Sequence, residues 1–66
     1  MFNIGDKVLT KGIFSLGCDC EIVKTNLNIE DRLGRLCPYG VIPIGYQQIN
    51  DNDFYMYSEN ELEKIQ

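Results

Sequence analysis

Apolar and polar positions along the chain read as short strands separated by turns. After a Gly5-Asp6 turn, Lys7-Val8-Leu9-Thr10 is a short β-prone stretch. Residues 11–17 are bounded by glycines and read as a loop with apolar side chains tucked in. Residues 18–25 alternate at strand period, with Cys20, Ile22 and Lys24 on one face and Glu21 and Val23 on the other. Tyr39-Gly40-Val41-Ile42-Pro43-Ile44 is a β-branched run. Pro43 has no N–H to donate, so it belongs on an edge, at a bulge or at the strand end. Residues 45–49 extend the pattern as a further strand. Asn50-Asp51-Asn52-Asp53 is a turn cluster, and Phe54-Tyr55-Met56-Tyr57 is an aromatic strand.

Two segments depart from this pattern. In residues 26–34, Asn28 caps a single helical turn, with Ile29 and Leu33 four apart and Gly34 as its stop, or else the segment is an extended loop. Ser58-Glu59-Asn60-Glu61 matches the capping box S-x-x-E. Ser58 would accept from the N–H of Glu61, whose side chain would return to the N–H of Ser58. Glu59 and Glu61 also suit a helix N-terminus electrostatically. Leu62 and Ile65 then anchor the tail to the core.

Size and charge narrow the function. The chain has 66 residues, which predicts one domain over residues 1–66. A chain this short buries only about 60% of its unfolded surface, so the core is thin. It contains no histidine, removing the commonest general base and metal ligand. The net charge of −4 lies wholly in the last twenty residues, where Asp51, Asp53, Glu59, Glu61 and Glu63 face Lys64 alone. No window is basic, which argues against nucleic acid as a partner. No apolar run approaches the roughly 20 residues of a membrane span, and no signal peptide is visible, so the expected location is the cytoplasm.

The order of these segments resembles the small SH3-like barrels of the KOW and Tudor type. Their outline is G-D-x-V, G-x-x-G-x-I, Y-x-V, and a last strand ending in a one-turn helix of the form S-x-x-E-L. Here Gly5-Asp6-Lys7-Val8, Gly17-Cys18-Asp19-Cys20-Glu21-Ile22, Tyr39-Gly40-Val41 and Ser58-Glu59-Asn60-Glu61-Leu62 stand in that order. Cys20 replaces the second glycine, so that turn becomes a bulge or a plain strand. The resemblance implies an all-β fold: a five-stranded SH3-like barrel with a one-turn helix near the C-terminus. In style the chain is similar to the small acidic barrels of bacteria and their phages. In such barrels the residue before the one-turn helix points inward. That implies Tyr57 in the core, Tyr55 with it by strand period, and Phe54 and Met56 outward.

Candidate chemistry is sparse. Cys18-x-Cys20 and Cys37 are three thiols at the wrong spacing for a zinc knuckle, and their odd number fits reduced cysteines. A thiol enzyme would need an activating group beside its cysteine, for which the candidates are Arg35 near Cys37 or a carboxylate. Glu59 and Glu61 are accounted for by capping. The rings of Phe14, Tyr39, Tyr46, Phe54, Tyr55 and Tyr57 suit a core without tryptophan better than a methyl-cation cage. The chain therefore reads as a non-catalytic protein-binding module, an adaptor or inhibitor of a bacterial or phage protein, with no cofactor and no metal. Its expected contact is Phe54 and Met56 beside Asp51 and Asp53. The alternatives are an RNA- or ribosome-associated KOW-like module and a thiol- or zinc-dependent small protein.

Overall fold

The computed structural model describes residues 1–31 and 33–65. Five strands form one antiparallel sheet: β1 (Lys7–Thr10), β2 (Asp19–Lys24), β3 (Tyr39–Pro43), β4 (Tyr55–Tyr57) and β5 (Leu62–Lys64). Their order across the sheet is β4-β3-β2-β1-β5, so the last strand returns beside the first. The return is made by the 3-10 turn Glu59–Glu61. The sheet does not close into a barrel. β4 and β5 lie at opposite edges and each spans three residues, which leaves little ladder with which to join them.

Strand alternation builds the core on one face. Val8, Cys20, Ile22, Tyr39, Val41, Tyr57 and Leu62 form a single buried cluster, with Phe2 and Leu16 packed against it. Cys20 continues a regular strand, pairing opposite Val8. The irregularity lies further on: Ile22 faces Val41 but Lys24 faces Gly40, so Val23 is the extra residue of a bulge. Cys18 precedes the strand and is exposed, unlike Cys20. Phe2 meets Tyr39 edge to face, with centroids 5.3 Å apart and ring planes at 82°.

Two local expectations need correction and a third is narrowed. Residues 45–49 form no strand. Pro43 closes β3, and the chain turns at once, the N–H of Tyr46 donating to the Pro43 carbonyl at 3.0 Å with Gly45 at φ +89°. The described residues of 26–34 hold no helix, and of the two alternatives the loop stands. They belong to an arm, residues 25–38, that runs out and back as a narrow hairpin with Glu30 bridged to Leu36. The side chain of Asp31 takes the N–H groups of Leu33 and Arg35, which draws the backbone away from helical pairing. Gly34, at φ +77°, is the turn of this arm and not a helix stop. Tyr57 is buried, but Tyr55, on the same side of a strand at the sheet margin, is 53% exposed.

The opposite face carries a smaller apolar patch. The ring of Phe54 crosses Gly40 so closely that a Cβ there would lie 2.6 Å from Cδ1 and 3.0 Å from Lys24 Cβ. Gly40 thus makes room for Phe54 on the outer side of β3. Gly40→Ala is expected to destabilise the domain by about 1–3 kcal/mol, the usual cost of overpacking. Urea melts check this, with Gly40→Ala/Phe54→Leu recovering part of the loss because the shorter side chain relieves the clash.

Candidate functional site

An open groove of about 750 Å³ runs between the β1–β2 loop and the β2–β3 arm. Phe14 and Leu16 line it from the loop, Asp31, Leu33 and Arg35 from the arm. Tyr55 and Met56 of β4 line it from the sheet edge, with Tyr57 and Glu61 also contributing.

Hydrogen bonds local to each wall hold it in place. In the β1–β2 loop, Thr10 Oγ1 accepts from the N–H of Leu16 at 2.7 Å, and the Ser15 hydroxyl donates to the Thr10 carbonyl at 2.8 Å. The Tyr57 hydroxyl donates to the Phe14 carbonyl at 2.5 Å, fixing the loop to β4. In the arm, the N–H of Asp31 donates to the Arg35 carbonyl at 2.9 Å and that of Cys37 to the Ile29 carbonyl at 2.8 Å.

Arg35 joins the arm to the body. Its Nε and Nη2 grip Asp31 Oδ2 at 2.8 and 2.7 Å. Its Nη1 reaches Glu61 Oε2 at 3.2 Å, and its guanidinium lies 5.7 Å from the centre of the Phe14 ring. The backbone N–H of Arg35 is the main cause holding the Asp31 carboxyl below the usual aspartate range, with the guanidinium adding to it. The same pair raises the Arg35 pKa, the Asp31 hydrogen bond first and the charge of Glu61 after it. The two shifts agree that both members are charged.

Glu61 has two tasks because its two oxygens face different ways. Oε1 accepts from the N–H of Ser58 at 3.0 Å, the glutamate arm of the capping box. The Ser58 hydroxyl lies within donating distance of the same oxygen, 3.0 Å, and of Asn60 Oδ1, 2.8 Å. The N–H of Glu61 reaches the Ser58 carbonyl at 3.1 Å, which makes the turn 3-10 in type. Oε2 is left for Arg35. A side chain expected only to cap therefore also anchors the arm, and the carboxylate is nearly buried.

The four residues expected as a contact surface do not converge on this groove. Met56 alone among them lines it. Phe54 is half-buried against Gly40. Asp53 organises the β3–β4 loop, its Oδ2 accepting from the Tyr46 hydroxyl at 2.6 Å and the N–H of Ile49 at 2.9 Å. Asp51 is exposed in the turn before β4. Phe14, the Leu33–Arg35 segment and Glu61 are distant from one another in the chain, and only folding makes them neighbours.

Cys20 and Cys37 are buried and Cys18 is exposed. Burial pushes the Cys20 thiol up to about 11, and burial likewise raises Cys37, with Asp31 and Glu61 reinforcing it and Arg35 opposing. A raised thiol pKa is the opposite of what a nucleophile needs. Among the described residues no three histidine, cysteine or acidic side chains come together in a group able to hold a metal ion. No helix among them is long and apolar enough to cross a membrane. No protein-family model, curated protein or solved structure matches the chain.

Glu61→Gln keeps an oxygen for the Ser58 N–H but loses the charge facing Arg35, whereas Glu61→Ala loses both. Glu61→Ala is therefore expected to be the more destabilised, by about 1–3 kcal/mol, with Ser58→Ala costing about 0.5–2 kcal/mol. Urea midpoints of the three variants check the order. Equal losses for Gln and Ala would mean that the cap contributes nothing.

Proposed function

We propose that the chain is an SH3-like β module, without catalytic activity, that binds another protein through this groove as an adaptor or inhibitor. The carrying observation is the set of exposed apolar side chains, Phe14, Leu33, Tyr55 and Met56, gathered around the fixed Arg35–Glu61 pair. Exposed apolar groups with a charged rim are the composition of an interface centre. The SH3-like identity is supported by the order of the segments that carry the resemblance: Val8 lies on β1, Ile22 on β2, Val41 on β3, and Ser58 heads the 3-10 turn. Met56 links the groove to the contact expected from the sequence, since Phe54 stands two residues before it and Asp51 and Asp53 lie in the turn leading into β4.

Charge placement favours a protein over RNA. Arg35 is held by Asp31 and Glu61, Lys7 lies 3.6 Å from Glu21, Lys11 3.9 Å from Glu63, and Lys64 3.8 Å from Asp6. Among the described residues every cation but Lys24 thus lies beside a carboxylate, an arrangement that does not assemble a phosphate-binding face. A thiol-dependent activity is opposed by the raised pKa of Cys20 and Cys37.

The test is affinity capture from the native cell with wild type, Tyr55→Ser/Met56→Ser and Asp51→Lys. The serine double variant should lose the partner while its thermal midpoint stays close to wild type, because both side chains are exposed. Undiminished capture by that variant would contradict the reading. Loss confined to Asp51→Lys would move the contact to the turn before β4.

A further inference from the structure

An edge strand leaves one row of backbone N–H and C=O groups without a strand partner. β4 is such an edge: it pairs with β3 on one side and, among the described residues, with no strand on the other. The same three residues, Tyr55, Met56 and Tyr57, line the groove. An extended segment adding to β4 would therefore run along the groove, with alternate side chains directed into it.

The lining says what those side chains are. Phe14, Leu33, Tyr55 and Met56 call for apolar groups. The described charged residues there are Glu30 and the group in which Arg35 is bonded to both Asp31 and Glu61; on a chain of net charge −4 this lining is acidic and favours lysine or arginine. A second copy of this chain fits poorly, because pairing β4 with itself brings two acidic grooves together on a chain of net charge −4. Phosphate backbones are repelled by the same acids.

We infer that the partner, on the protein-binding reading above, presents an extended segment of alternating apolar and basic residues. It adds to β4 as a further strand and directs its cations toward Glu30 at the arm. Proline is unwelcome in it wherever an N–H faces β4.

Selection from a random peptide library displayed on phage, with counter-selection on Tyr55→Ser/Met56→Ser, tests this. Enriched peptides should be basic, β-branched or aromatic, and poor in proline. Synthetic copies should shift the Tyr55–Tyr57 amide resonances. Methylating the backbone nitrogens that face β4 should weaken binding about tenfold, as expected for two lost hydrogen bonds. Glu30→Gln should weaken the same peptides and flatten their salt dependence. Enrichment of acidic or proline-rich peptides, indifference to methylation, no enrichment at all, or a dimer that protects β4 in the free protein would each overturn the inference. The capture experiment separates the two levels. If capture depends on Tyr55 and Met56 while the peptides behave otherwise, the partner class is wrong and the groove stands. If capture also ignores the groove, both fall.

Discussion

The ion pair between Arg35 and Glu61 is the contact on which the groove depends. The arm of residues 25–38 has its own hairpin hydrogen bonds, but a two-stranded hairpin has little stability alone in water. Arg35 ties it to the body at a carboxylate already fixed by the Ser58 N–H. Asp31 then clamps the other side of the guanidinium, so the arm's own turn and its anchor share one side chain. Without that junction Leu33 and Asp31 would have no fixed place opposite Phe14.

The sheet explains why such a junction is useful in so small a domain. Its core is one layer of seven side chains on one face, and the two edge strands span three residues each. Little apolar area remains to hold long loops by burial. The loops are held instead by polar contacts that radiate from the end of β4 and the 3-10 turn: Tyr57 to the β1–β2 loop and Glu61 to the arm. The same economy leaves one edge of β4 without a strand partner among the described residues, and aromatic side chains exposed. An open sheet of this kind is a less complete core than a closed barrel and offers more edge to a partner.

Strand-period signals were readable in the sequence. The alternation around Cys20 and Ile22 and the pairing of Ser58 with Glu61 follow from local chemistry, Pro43 takes the strand end among the places its missing N–H allowed, and the burial of Tyr57 was implied by the resemblance. What escaped was set by tertiary neighbours. The spacing of Ile29 and Leu33 suggests a helical turn, but Asp31 captures the backbone of its own segment and makes a hairpin. Tyr55 shares a side with Tyr57, yet it lies at the margin where the core ends. Arg35 and Glu61 stand far apart in the chain, and no local pattern couples them. The glycine-bounded loop was expected to tuck its apolar side chains in, but only Leu16 packs against the core, while Ile13 is 82% and Phe14 52% exposed.

The most direct measurement is a double-mutant cycle on this junction, read by amide hydrogen exchange at Asp31 and Cys37, whose N–H groups close the arm. Arg35→Ala and Glu61→Gln should each speed exchange at both amides, and the double variant should exchange no faster than the faster single one. Unchanged exchange in the single variants, or losses that simply add in the double, would show that the arm is held by something other than Arg35 and Glu61.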